Sequence, residues 1–337
     1  MRVVERIRNA IESNRWFESM YNKVGTIPAY RSLIARRVTR RVDYVERHKQ
    51  YGLMIELSSI CNARCVFCPH TGMKREKRLM GDELFDLVVN RVLEQGIQPP
   101  TIDLFNVGEP LTDRKLFVKV RKLKSLWPDA KVRITTNLSL ATDSNIDEML
   151  ASGLDSVHIS LNADSEDSYF RIMGLNYQTA VRNIETLLEK RAATKSPLNV
   201  MLSMVLCPEN RGDEAAFVKR WSKRVDSICL QRAVDWGGGV DVGDPYRCAS
   251  KQLYPCNDLF ERITILSNGE VALCCQDYQG IIHSNVREHS ILEIFRSRTF
   301  EEFRESHLRG EIASLKMCRN CFAVHSNGAN WLFKKFN

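Results

Sequence analysis

The chain predicts an α/β fold built on a parallel sheet, and three observations carry that expectation. From residue 51 onward, short β-rich runs alternate with amphipathic helical runs six times over. Such alternation marks strand–helix crossovers, wound open or towards a barrel. Near residue 235 the alternation gives way to a stretch rich in glycine and cysteine, so a smaller second domain is expected there. Composition agrees, with 44% hydrophobic and 27% charged residues in 337; that length suits one large domain or two ordinary ones.

Residues 1–50 stand apart from the repeat. They hold 12 Lys+Arg and 5 Asp+Glu, a net of +7, while the whole chain is +8. Residues 51–337 therefore carry only +1. Over 29–49, Leu33, Ile34, Val38, Val42 and Val45 share one helical face, and Arg31, Arg36, Arg37, Arg40, Arg41 and Arg47 cover much of the rest. A basic amphipathic helix of this kind lies on an anionic membrane surface, receives a phosphate-rich substrate, or packs its apolar face on the body. No run of about 18 apolar residues suggests a membrane span. The N-terminus lacks the apolar stretch of a signal peptide. A cytoplasmic protein is expected, with this extension the one part suited to a membrane surface. The nearly neutral body and the lack of a recognition motif argue against specific nucleic-acid reading.

The first repeat unit opens with a strand at 53–59, followed by a helix at 82–95. That helix starts at the N-cap signal Gly81-Asp82 and places Leu84, Leu87, Val88 and Leu93 at helical spacing. Further strands are expected at 101–106, 131–136, 156–161, 199–206 and 227–231, with helices at 112–126, 143–152, 177–192 and 213–224. Six such units, wound open or closed towards a partial (β/α)6 barrel, place the first domain at 51–235 and the second at 236–337. In such architectures chemistry gathers at the carboxyl ends of the strands. Cys61, Cys65 and Cys68 directly follow the first strand.

Eleven cysteines in a reducing compartment point to metal or redox chemistry instead of disulfides. Three thiolates can hold three irons of a [4Fe–4S] cluster, leaving the fourth iron open, whereas a cluster that only carries electrons has four cysteines. An open metal position marks a site that binds a reactant. The spacing CxxxCxxC, with Phe67 before its last cysteine, resembles the signature of the radical S-adenosylmethionine (radical SAM) enzymes. That resemblance implies a TIM-type partial barrel, with SAM chelated to the open iron. It implies reductive cleavage of SAM to a 5′-deoxyadenosyl radical that takes a hydrogen atom from substrate. It also implies a reductant such as flavodoxin or ferredoxin. On the residues alone, a zinc site and buried thiols stand as alternatives, although zinc sites favour paired spacing.

Asn106-Val107-Gly108-Glu109-Pro110 ends the second strand and resembles the family's GGEP motif, with Val107 at the first glycine. The resemblance gives Gly108 and Glu109 the methionyl amino group of SAM. Thr135-Thr136-Asn137 resembles TTNG, with Leu138 where glycine is usual, and brings in Asn137. Ser160 and Asn162, after the fourth strand, match positions that bond the ribose or carboxylate of SAM. Phe67 is placed to flank the adenine, and Arg171 to pair the SAM carboxylate. For these residues strand-end capping, core packing and surface solvation are the competing explanations.

In the C-terminal third, 262–266 and 270–274 flank Ser267-Asn268-Gly269, a hairpin signal. A helix is expected at about 291–308, before Cys318-Arg319-Asn320-Cys321. Cys256, Cys274, Cys318 and Cys321 together resemble the SPASM and twitch extensions of the family. The resemblance implies one auxiliary [4Fe–4S] cluster with four protein ligands; a four-cysteine zinc site is the alternative.

A fully ligated second cluster suits electron transfer, which favours two-electron oxidation of an alcohol in a small polar substrate. A sugar, an aminocyclitol or their nucleotide- or lipid-linked forms are expected. Asp277 is the candidate base and Arg232, after the sixth strand, a substrate contact. Cys207 and Cys248 are candidate hydrogen donors that would make the enzyme an epimerase. Modification of a ribosomal peptide and a zinc-stabilised binding protein are the remaining alternatives.

Overall fold

A computed structural model describes residues 28–242, 253–321 and 323–324. The chain opens with α1 (Pro28–His48) and then β1 (Gly52–Ile55), α2 (Asp82–Glu94), β2 (Thr101–Asp103), α3 (Leu116–Leu126) and β3 (Lys131–Thr136). It continues through α4 (Asp143–Ala151), β4 (Ser156–Ser160), α5 (Glu166–Met173), α6 (Tyr177–Thr194), β5 (Asn199–Leu206), α7 (Glu214–Trp221) and β6 (Ser227–Arg232). The C-terminal part adds α8 (Asp258–Glu261), β7 (Arg262–Ile265), β8 (Val271–Ala272), α9 (Ile291–Phe295) and α10 (Arg298–Arg309).

The sheet runs β6-β5-β4-β3-β2-β1-β7-β8. Strands β1 to β6 pair in parallel, as the six strand–helix units require. The hairpin adds to the same sheet: β7 pairs parallel with β1, and β8 returns antiparallel. One apolar core accordingly runs from Ile34 on α1 to Phe300 on α10, with β1 buried at all four residues. Full burial on both faces is the rule for central parallel strands.

Several elements differ from the sequence expectation. The first strand stops at Ile55 because the chain turns away to pair Ser58 with Leu79. Helix α5 was not anticipated, although Ser165 caps its start and Gly174, at φ 68°, closes its end. The expected helix over 291–308 is two helices, with Ser297 as the new N-cap after α9. On α1 the apolar face is spent on the body: Ile34, Val38 and Val45 are buried, and Arg41 pairs with Glu261 at 2.8 Å. Of the three uses open to that helix, the structure shows packing. Among the described residues no helix is long and apolar enough to cross a membrane.

Candidate active site

Past β1 the cysteine loop is pinned by its backbone. Ser59 N–H donates to Arg78 O at 2.9 Å, Arg64 N–H to Met173 O at 3.0 Å and Val66 N–H to Ile172 O at 3.0 Å. The loop is thereby tied to its own return segment and to α5. Cys61, Cys65 and Cys68 line one end of a cleft of about 460 Å³. Burial pushes the Cys61 thiol up to about 11 despite the nearby Lys77, and burial followed by the charges of Cys68 and Cys61 pushes Cys65 well up. Three such thiols become thiolates together only with a cation among them, which is the state a metal centre demands.

Beside them, its N–H donating to Ile60 O at 2.8 Å, Glu109 is 2% exposed, and its carboxylate accepts from Thr136 Oγ1 at 2.6 Å, Asn137 N at 2.8 Å and Leu111 N at 3.0 Å. It therefore welds the loop after β2 to the end of β3. Gly108 is dictated by backbone approach: a Cβ there would lie 1.9 Å from Ser58 O. Asn137 reaches back to the cysteine loop, donating to Asn62 Oδ1 at 3.0 Å. Leu138 holds φ at 58°, the left-handed value that glycine adopts at no steric cost. Asn162, at φ 59°, accepts from Val205 N at 2.8 Å and donates to Met173 Sδ at 3.1 Å. Gly108, Glu109, Asn137, Ser160, Asn162 and Phe67 all line the cleft.

The second cysteine set opens onto the same cleft. Cys256, Cys274 and Cys321 also line it, while Cys318 packs with Ile312 and Val324. Burial and then neighbouring charges, Cys275 first, push Cys274 well up, and Asp258 acts the same way on Cys256. His307 is buried on α10, and burial holds its ring down to about 4, so it is neutral. Among the described residues no three His, Cys, Asp or Glu side chains converge as on one metal ion. A cubane of four irons is wider than a single ion and draws its sulfurs less closely together.

A buried ion pair of the first half is hydrogen-bonded to the second. Arg75, just beyond the cysteine loop, meets Glu56 at 2.5 Å, Tyr278 O at 2.6 Å and Ser267 Oγ at 3.3 Å. Ser267 N–H completes Glu56 at 2.9 Å, and Gln279 Oε1 accepts from Lys74 N at 3.1 Å.

Three expected site residues do not join the cleft as anticipated, and the side chains of two others lie outside the described residues. Asp277 is 1% exposed and spends its carboxylate on the N–H groups of Leu273, Gly280 and Ile281, so it builds the turn after Cys274 and is not part of the cleft lining. Arg171 is exposed on α5 and pairs with Asp167, one turn back and away from the cleft. Cys207 is buried in the turn after β5, where its N–H donates to Asn210 Oδ1 at 2.9 Å, and it is not part of the cleft lining. Arg232 ends β6, and only its backbone is described; Cys248 falls outside the described residues. Cys229 on β6 and Asp258 on α8 line the cleft instead, with Asn106, Thr135, Gln231 and Gln276. The carboxylate of Asp258, two residues past Cys256, was the one signal available in the sequence for that wall.

Two family models match the chain. Residues 55–219 match the Radical SAM superfamily, and residues 256–322 match SPASM, an iron–sulfur cluster-binding domain. A "Probable GTP 3′,8-cyclase" of Saccharolobus solfataricus is 32% identical over 168 residues, 50% of this chain and 51% of that protein. One from Pyrococcus abyssi is 24% identical over 64% of this chain and 66% of its own length. The chain thus spans between half and two thirds of these curated relatives. Among solved structures, BtrN in complex with AdoMet and 2-DOIA superposes with a TM-score of 0.56 at 17% identity, covering 81% of this chain and 93% of BtrN. Streptococcus suis SuiB bound to its precursor peptide SuiA gives 0.55 at 16% identity, over 88% and 77% of the two chains. These likenesses show the fold, a partial barrel with a C-terminal SPASM domain.

Proposed function

We propose that this chain, which belongs to the radical SAM superfamily and carries a SPASM iron–sulfur domain, oxidises an alcohol group of a small polar molecule. One observation carries the reading: both cysteine sets open onto a single cleft. A substrate radical formed in that cleft would have an electron acceptor in the cleft's own lining. With SAM and the two clusters bound, SAM cleavage would supply a carbon radical that removes one hydrogen atom, and the auxiliary cluster would accept the remaining electron.

The residues fit these groups. Cys61, Cys65 and Cys68 would hold the SAM-site cluster; Cys256, Cys274, Cys318 and Cys321 would hold the auxiliary one. Because the Glu109 carboxylate is taken up by three protein donors, its role would be to hold the loop whose backbone carbonyls meet the SAM ammonium. Ser160 offers a hydroxyl to SAM from the cleft wall. Asp258 lines the same cleft, with Arg262 Nε 3.4 Å from its Oδ1, and would take the hydroxyl proton of the substrate at a carboxylate oxygen. Thr135, Gln231 and Gln276 would meet further hydroxyls. A cavity of 300–1,000 Å³ encloses about one drug-sized ligand, so with SAM inside about 460 Å³ little room remains. That favours a sugar or aminocyclitol.

Cys229 supports a second reading. Its place in the cleft lining would let its S–H return a hydrogen atom to the substrate radical, making an epimerase. Anaerobic turnover of a sugar and aminocyclitol panel in deuterium oxide separates the two. Oxidation gives a carbonyl product two electrons poorer and no carbon-bound deuterium. Epimerisation gives one deuterium at the inverted carbon, lost in Cys229→Ala. Production of 5′-deoxyadenosine with neither change across the panel would contradict both.

A further inference from the structure

His307 sits on α10 at 1% exposure, between two cysteines far from it in sequence. The N–H of Cys256 donates to His307 Nδ1 at 3.1 Å, and His307 Nε2 lies 3.4 Å from Cys318 Sγ. A backbone N–H can be met only by an unprotonated ring nitrogen. The Cys256 contact therefore places the single ring proton on Nε2, the nitrogen that faces the sulfur of Cys318. This is the arrangement in which one hydrogen bond fixes the tautomer and the other nitrogen is left to act.

We infer that His307 donates a hydrogen bond to the Cys318 sulfur of the auxiliary centre and thereby raises that centre's affinity for an electron. Hydrogen bonds to ligand sulfurs are one of the main controls on iron–sulfur potential, together with net charge and solvent exposure. An N–H aimed at a thiolate draws off negative charge, which favours the reduced cluster. On the cleft side the carboxylate of Asp258 pulls the other way, since its charge acts on Cys256 and Cys321. His307 offsets that carboxylate from behind. Cys68 meets only the backbone of His70, whose ring Nε2 is bonded to Ser59 O, so among the described residues a histidine ring faces a sulfur of the second set alone. The inference rests on the SPASM assignment and not on which substrate the enzyme takes.

The test is a redox titration of the reconstituted protein followed by EPR, in wild type, His307→Phe and His307→Gln, without substrate. The auxiliary potential is expected to fall in His307→Phe. It should recover in part in His307→Gln, whose amide keeps an N–H, while the SAM-site potential stays put in both. An auxiliary potential that does not move in His307→Phe, or two clusters that shift together, would overturn the inference. If His307→Phe fails to hold its auxiliary irons, wild-type protein labelled with ¹⁵N-histidine decides. A histidine nitrogen coupled to the reduced auxiliary cluster in pulsed EPR supports the bond, and its absence overturns it.

Discussion

Cys61, Cys65 and Cys68 arrive on one short loop at the end of a strand, whereas Cys256, Cys274, Cys318 and Cys321 are gathered from three separate stretches of chain. The first set has a cation beside it, Lys77, and shares the cleft lining with Glu109, Asn137 and Ser160. The second set has a carboxylate on its open side, Asp258, and a neutral histidine with an apolar patch behind it. Three cysteines among polar side chains leave room for a reactant; four cysteines, three of them packed with Ile312 and Val324, suit a centre held by the protein alone. The contrast teaches that a shared cleft can hold two metal centres of different duty. One is open to a ligand and the other is closed around its own donors.

Removing each set in turn should break the comparison most sharply. Replacing Cys61, Cys65 and Cys68 by Ala should take 5′-deoxyadenosine formation to background. Cys274→Ala should leave SAM cleavage measurable and abolish the oxidised product; loss of both activities in Cys274→Ala would contradict separate duties.

Next comes the joint between the sets. Breaking a buried ion pair by removing one partner typically costs about 3–5 kcal/mol. Arg75→Met should lower stability by about that much in urea unfolding, because Glu56 is left buried at 0% exposure. A cost under about 1 kcal/mol would mean that the pair does not hold the halves together.

The two buried carboxylates, one beside each set, give a smaller and matched effect. Glu109→Gln and Asp277→Asn should each cost about 1–3 kcal/mol, since backbone donors lose a charged acceptor. Burial lifts both carboxyls above their ordinary values. The folded protein then keeps each proton to higher pH than the unfolded chain does. The stability this contributes is full below the ordinary carboxylate range and is lost as pH rises through the lifted range. The difference between wild type and either variant, followed by urea midpoints from acid pH upward, should decline in that window. A flat difference would show that the carboxyls are not lifted.

The smallest effect is expected on the outer face of α10, the helix that carries His307. Arg298 is 93% exposed in its pair with Glu302, so Arg298→Ala should change stability by no more than about 0.5 kcal/mol. A larger loss would mean that this surface supports the auxiliary site.

What could be read from the sequence was what repeats or is closely spaced. The strand–helix alternation, the CxxxCxxC loop and the closing CxxC lie within a few residues of themselves, and their physics is local. Leu138 shows a partial legibility: its motif position was visible, but only the structure shows the backbone keeping the left-handed angle under a leucine that is fully buried. Asp277 and Arg171 were misplaced because an acidic or basic residue near a motif says nothing of which way it points. Arg75 with Glu56, and His307 with Cys256 and Cys318, are pairings across long stretches of chain that no periodicity signals.

The measurement that tests the account most directly is iron and sulfide analysis of anaerobically reconstituted protein, with and without Cys61, Cys65 and Cys68 replaced by Ala. The account predicts about eight irons with matching sulfide, falling to about four in the triple variant, at four irons per cubane. About four irons in the wild type, or zinc without sulfide, would contradict two clusters on one cleft.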